Sequence, residues 1–257
     1  MKIVALNTWG GRAGKDKLLE FFARHKDVDV FCLQEIWAAP YEHLDGHMAG
    51  GRPMDHTQIM VYGLQDITAA MPEYEVYFHP HHADNYGLVL LVRRGLAVTN
   101  VGELFVYKHK GHVPEGDIGN HARNIQHATI MHDGKQITVV NFHGLWNGKG
   151  KGDSEDRLVQ SDAIINFLKG LTTPYVLCGD FNLLPDTKSI LKFETFGARN
   201  LIKEYGITST RTRLYDKYDK AEQFADYAFV SNDVSVRGFS ILPDEVSDHA
   251  PLYLDIE

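Results

Sequence analysis

The chain has 257 residues, of which 44% are hydrophobic and 23% charged, and it carries a formal charge of −8. That balance excludes an intrinsically disordered chain and supplies enough apolar material for a substantial core. It also excludes a protein that coats nucleic acid through bulk positive charge, while leaving room for an acidic, metal-binding pocket that acts on phosphates.

No Pro-, Ser- and Gly-rich linker divides the chain, so residues 1–257 are read as one domain. Met1 and Lys2 lead directly into an apolar run, so neither a signal peptide nor a membrane span is expected. The two cysteines, Cys32 and Cys178, lie inside apolar runs and read as packed thiols in a reducing compartment. A cytoplasmic monomer with no stable membrane association is expected.

In chain order, a strand ends near Asn7, a helix covers residues 15–25 and a second strand covers 28–34. Residues 38–57, rich in Gly, His, Pro and Asp, are expected to form an irregular loop at the mouth of a site. Strands follow at 75–78, 87–93, 97–107, 124–132 and 136–142, with Asp133 and Gly134 as a hairpin turn. Asp153 and Asp156 bracket the start of a helix that runs to about residue 169, and strands return at 175–178, 227–231, 235–242 and 252–256.

Polar residues stand where apolar runs end: Asn7 in KIVALNTWG, Glu35 in VFCLQEIW, His143 in VVNFHGLW, Asp180 and Asn182 in VLCGDFN, and Asp248 with His249 in VSDHAPLYL. Strands that deliver such residues to their ends can build one pocket from several places in the chain. Carboxylates, carboxamides and imidazoles form a donor set for Mg²⁺ or Mn²⁺ and for proton transfer around a phosphate. Asp180 and Asn182, as alternate residues, are expected on one side of a strand end. Asp226, before the run YAFV, is placed to orient an imidazole such as His249.

The series NTWG, LQEIW, NFHGLW, GDFN, FADYAFVS and SDHAPL resembles the motifs of the endonuclease/exonuclease/phosphatase superfamily, in the same order and over nearly the whole chain. The resemblance implies an α/β fold, a four-layered α/β sandwich with two mixed sheets face to face and helices outside. It implies metal-dependent hydrolysis of phosphate esters, with Asn7, Glu35 and Asp248 holding Mg²⁺ or Mn²⁺. Asp180 would position or deprotonate the attacking water, and Asn182 would bond the phosphate or nucleophile. His249, paired with Asp226, would hold a phosphate oxygen or act as base, and His143 would stabilise the phosphorane or protonate the leaving oxygen. Trp9 stands where some nuclease members carry an acidic ligand, which makes a second metal less expected.

Arg123 could direct its guanidinium fork at a phosphate, and Tyr86 stands where family members often place a site residue. Nucleic acid is the leading substrate class, small phosphate esters or phospholipids are the rival, and a binding module without turnover is a third reading. His79, His81 and His82 in FHPHH invite a zinc reading but are expected as exposed residues of a Pro-broken loop. Lys149 with Lys151, and Arg211 with Arg213, are expected in solvated loops.

Overall fold

The computed structural model describes residues 1–40, 45–216 and 223–257. The chain runs through β1 (Lys2–Asn7), α1 (Lys15–Arg24), β2 (Val30–Trp37), β3 (Met48–Ala49), β4 (Arg52–Pro53), α2 (Gly63–Ala70), β5 (Tyr74–His82), β6 (Tyr86–Arg93) and β7 (Val98–Tyr107). It continues through β8 (Arg123–His132), β9 (Lys135–His143), α3 (Glu155–Lys169), β10 (Tyr175–Asp180), α4 (Lys188–Phe196), β11 (Arg199–Asn200), α5 (Leu201–Glu204), β12 (Asp226–Val230), β13 (Val236–Ile241) and β14 (Leu252–Ile256).

Two mixed six-stranded sheets result, ordered β13-β14-β1-β2-β6-β5 and β11-β12-β10-β9-β8-β7. Burial parity explains how the first sheet sits between two apolar layers. Ile3, Ala5, Val30, Cys32, Leu90 and Val92 pack toward the second sheet. Their alternates Val4, Leu6, Phe31, Leu33, Val89 and Leu91 pack against Leu18, Phe21 and Phe22 of α1 and Ile67 of α2. Side chains alternate along a strand, so a sheet covered on both faces needs the near-continuous apolar runs seen in the sequence. On the second sheet, α3, α4 and α5 contribute Ile164, Leu168, Ile190, Phe193 and Leu201 to the larger cluster. The expected four-layered α/β sandwich is the observed fold.

A polar ladder of carboxamides crosses between the sheets. Asn141 Nδ2 donates to the carbonyls of Leu33 and Val89 and to Gln126 Oε1, while its Oδ1 accepts from Gln34 Nε2 at 2.7 Å. All three side chains are buried and bonded, which makes them a specific tie between the sheets.

Several local expectations need correction. The FHPHH segment is part of strand β5 rather than a loop, and His81 and His82 are buried. Pro80 is tolerated because β5 is an edge strand with one unpaired side. The segment expected as an irregular loop contains the β3–β4 ribbon, and its residues 41–44 lie outside the described ones. Helices α2, α4 and α5 were not anticipated. For α4 the signals are Thr187, whose hydroxyl accepts from the Ile190 N–H, and Gly197 with φ 102° at the far end. The hairpin at Asp133 and Gly134 has positive φ at both residues, 49° and 78°, as a tight two-residue turn requires.

Candidate active site

The second sheet sets one wall. β9 pairs in parallel with β10, and β10 pairs antiparallel with β12, in a register that places Asp180 beside His143 on one side and Asp226 on the other. Gly179, at φ 137°, permits this close approach: a Cβ there would lie 2.1 Å from the Phe142 carbonyl oxygen. β10 ends at Asp180, so strand alternation does not extend to Asn182. Instead Asp180 Oδ1 accepts the Asn182 N–H at 2.8 Å, an Asx turn with Asn182 at φ 53°. The Asn182 amide points at the Gly144 carbonyl, 3.3 Å away.

The first sheet supplies the facing wall. Asn7 follows the parity of Ile3 and Ala5 and ends β1 with the same kind of turn, its Oδ1 accepting the Trp9 N–H at 2.9 Å. Glu35 would face the helices by simple alternation. It does not, because the pairing of β2 with β6 shifts between Leu33 and Ile36 and Glu35 takes φ 60°. The bulge reverses parity: Ile36 packs in the same outer cluster as Leu33, and Glu35 turns inward. Such left-handed conformations cost free energy at non-glycine residues and concentrate at functional sites. Trp9, Glu35 and Asn182 are three cases around one pocket.

Asp180 Oδ2 is the hub. It accepts from Asn7 Nδ2 at 2.9 Å, and the Nε2 atoms of His143 and His249 lie 3.7 and 3.6 Å from it. Asn7 Nδ2 also donates to Glu35 Oε1 at 3.1 Å, so Asn7 ties Glu35 of its own sheet to Asp180 of the other. His249 Nδ1 is 2.9 Å from both carboxylate oxygens of Asp226. Asp248 Oδ2 pairs with Arg211 Nη1 at 2.9 Å, and its Oδ1, buried, has no hydrogen-bond partner. Asn7, Glu35, His143, Asp180, Asp226, Asp248 and His249 thus form one connected cluster.

Burial dominates the electrostatics. It raises the Glu35 carboxyl above its usual range, Asp248 and Asp180 adding to the rise while Arg12 and Asn7 oppose it. It pushes Asp226 up to about 7 against Arg211 and Lys151. Burial and Arg211 push His249 down to about 4, and burial with Arg123 holds His143 well below the usual imidazole range. Both imidazoles are therefore neutral at pH 7 and able to accept a proton.

Arg123 is not a surface residue. It is 2% exposed, its Nη2 bonds the Gly119 carbonyl at 3.3 Å, and its Nε and Nη1 have no partner. Tyr86 lies beside it, buried and packed on Trp37 with ring centroids 4.6 Å apart. Two cations expected in solvated loops are also buried here. Arg211 pairs with Asp248, and Lys151 Nζ donates to the Phe224 carbonyl at 2.8 Å. Nothing in their local sequence marks them, since their roles depend on loops meeting the cluster from elsewhere in the chain.

Asp180, Asp226 and His249 also offer ligand atoms within 4.8 Å of one another, but these atoms are engaged in the hydrogen-bonded dyad and hub. The half-buried Glu35, with the unpartnered Asp248 Oδ1 and the carboxamide of Asn7, is the hard-oxygen set that fits Mg²⁺ or Mn²⁺ while leaving that dyad intact.

A model of the Endonuclease/Exonuclease/phosphatase family matches residues 4–249, and the chain belongs to that family. Its members are phosphate ester hydrolases of phosphodiesterase, phosphatase and nuclease type. No curated protein sequence matches the chain. Among solved structures it is similar to the Bacteroides thetaiotaomicron mannosyl-6-phosphatase, with a TM-score of 0.75 and 17% identity, covering 100% of this chain and 99% of that one. It is similar to D. rerio TDP2 complexed with single strand DNA product, with a TM-score of 0.67 and 16% identity over 100% and 98% of the two chains. It is also similar to the human Nocturnin catalytic domain with bound sulfate, with a TM-score of 0.64 and 17% identity over 100% and 94%. At these identities the likeness concerns the fold. Among the described residues no helix is long and apolar enough to cross a membrane.

Proposed function

We propose that the protein is a divalent-cation-dependent phosphate ester hydrolase in which water attacks phosphorus in line. The observation that carries this reading is the convergence of Asn7, His143 and His249 on Asp180 Oδ2 from opposite sheets. A carboxylate flanked by two neutral imidazoles can orient water and move its proton. Glu35, Asp248 and Asn7 would hold the cation, Mg²⁺ or Mn²⁺, which when bound supplies positive charge against the phosphate.

Asp180 orients the attacking water through Oδ2 and anchors Asn182 through Oδ1. Asp226 holds the Nδ1–H of His249, leaving the Nε2 lone pair directed to the pocket, where it takes a proton or steadies a phosphate oxygen. His143 serves the leaving oxygen, and Arg123 offers its two unpartnered nitrogens, Nε and Nη1, as donors to the phosphate, where preorganised charge in a dry site is most effective.

Nucleic acid as the substrate is supported by the likeness to TDP2 with its DNA product and opposed by the net charge of −8. The deciding experiment measures hydrolysis of bis(p-nitrophenyl) phosphate, p-nitrophenyl phosphate, single-stranded DNA and RNA with Mg²⁺, Mn²⁺ or chelator, for the wild type and Asp180→Asn. Metal-dependent turnover that vanishes in the variant supports the reading. Turnover that survives the substitution removes Asp180 from the chemistry, and none on any ester overturns the enzyme.

A further inference from the structure

Beside the hydrolytic cluster lies a second group of polar side chains. His81, on β5, and His121, just before β8, stack with ring centroids 4.9 Å apart and planes 21° from parallel. His81 is 5.9 Å from His143 and 5.4 Å from Tyr86 by ring centroids, and His121 is 5.5 Å from Tyr86. The pair is therefore contiguous with the site.

The tautomer of each ring follows from its partners. Asn124 Nδ2 donates to Glu103 Oε2 at 2.8 Å, which fixes the amide so that Oδ1 faces His81 Nδ1 at 2.9 Å. An amide oxygen only accepts, so Nδ1 carries the proton and Nε2 keeps its lone pair. His121 Nδ1 lies 2.7 Å from the Ala122 carbonyl, and the same reasoning leaves its Nε2 as an acceptor. His81 Nε2, Arg123 Nε and Arg123 Nη1 are buried without hydrogen-bond partners, a costly combination unless a ligand or water completes it. Among the described residues no carboxylate forms an ion pair with Arg123.

The chain closes this side. Asp117 accepts the N–H groups of Gly50 and Gly51 at 2.7 Å each and of Gly119 at 2.8 Å, clasping the β3–β4 ribbon to the turn that leads into His121 and Arg123. Contact is tight: a Cβ on Gly119 would lie 2.5 Å from the Gly50 nitrogen. Ala49 and Met54 pack with Trp37, Tyr86 and Ile118 in one apolar patch.

Building on the phosphate ester hydrolase reading above, we propose that His81 and His121 are specificity residues that accept hydrogen bonds from hydroxyl groups of a small polyol phosphate whose phosphate is held by Arg123. The complementarity is of donors and acceptors. A guanidinium fork meets phosphate oxygens, and two imidazole lone pairs meet adjacent hydroxyls, groups that a DNA backbone lacks. Burial and the Arg123 charge hold both imidazoles well below their usual pKa, which keeps them acceptors at pH 7. A site built to bond a hydroxyl rejects the analogue lacking it, because its own buried groups are then left unpaired.

The test compares glycerol 2-phosphate with isopropyl phosphate, the same branched skeleton without its two hydroxyls, as competitive inhibitors of Mg²⁺-dependent bis(p-nitrophenyl) phosphate hydrolysis. The wild type is expected to bind glycerol 2-phosphate about tenfold more tightly, the discrimination of one or two neutral hydrogen bonds. In His81→Phe and His121→Phe, each checked for an unchanged melting temperature, the ratio should fall toward one. Equal inhibition of the wild type by both compounds overturns the proposal without need of a variant, as does a preference that survives both substitutions. Where the wild type turns over only the monoester, p-nitrophenyl phosphate replaces the diester as reporter, and failure to hydrolyse either ester or nucleic acid overturns the parent reading along with it.

Discussion

Asp226 and His249 meet with His249 Nδ1 2.9 Å from each oxygen of the Asp226 carboxylate. Asp226 opens β12 opposite Asp180, while His249 sits in the segment before β14, tied to Arg211 by an isolated bridge. The strand that delivers the Asp226 carboxylate therefore belongs to one sheet, and the imidazole comes from a segment leading into the other. Replacing Asp226 by Asn keeps the shape but presents an N–H where His249 also has one, favouring the wrong tautomer. The expected result is a loss of about 100-fold or more in kcat on bis(p-nitrophenyl) phosphate with KM little changed. A loss under threefold would show that the pair is structural.

Glu35→Gln separates cation binding from folding. Glu35 carries a carboxyl already raised by burial and by Asp248 and Asp180, so removing its charge should not lower the melting temperature in chelator. The wild type should melt higher as Mg²⁺ is added, since a ligand that binds only the folded state stabilises it, and the variant should lose most of that increment. Equal Mg²⁺-dependent increments in both proteins would remove Glu35 from the cation site.

Arg123→Met tests a cost borne for function. A buried cation without a carboxylate partner opposes folding, so the variant is expected to melt at or above the wild-type temperature. Its kcat/KM should fall about 100-fold, the scale of losing one preorganised charge on phosphate. Differential scanning calorimetry beside steady-state kinetics reads both, and a destabilised variant with full activity would contradict the assignment.

Acid stability should fall through the buried imidazoles, offset in part by Glu35 and Asp226, whose raised carboxyls take up protons in the native state before the unfolded chain does. His81, His121 and His143 lie well below the ordinary histidine value and His82 is lowered to about 4, burial being the largest cause in each. Between pH 6.5 and about 4 the unfolded chain binds protons that the native state refuses, so stability falls as pH falls through that window. Each such proton contributes a slope of about 1.4 kcal/mol per pH unit. Unfolding in urea from pH 7 to 4.5 should show this steep loss, and His82→Gln should flatten it by about one proton. A profile that His82→Gln leaves unchanged would mean that this ring is charged in the folded state.

Asn141→Leu should cost about 2–4 kcal/mol in urea denaturation, because it strands the Leu33 and Val89 carbonyls and the Gln34 amide between the sheets. A change below about 0.5 kcal/mol would show that water or repacking replaces the ladder.

The sequence by itself determined the layers and which residues make up the cluster. Runs such as IVAL and VFCL are apolar at every position because both faces of their sheet are covered, and polar residues at their ends can only gather where strands stop. Asn7, Glu35, His143, Asp180, Asp226, Asp248 and His249 were legible for that reason. What only the tertiary structure decided depends on contacts between distant segments. The inward turn of Glu35 needs a bulge that appears only against β6, and the burial of Arg123, Arg211 and Lys151 needs loops to close over them. The FHPHH segment shows the limit most clearly. A proline beside three histidines reads locally as a solvated break, yet pairing along one edge with β6 holds it as a strand and carries His81 to the wall of the pocket.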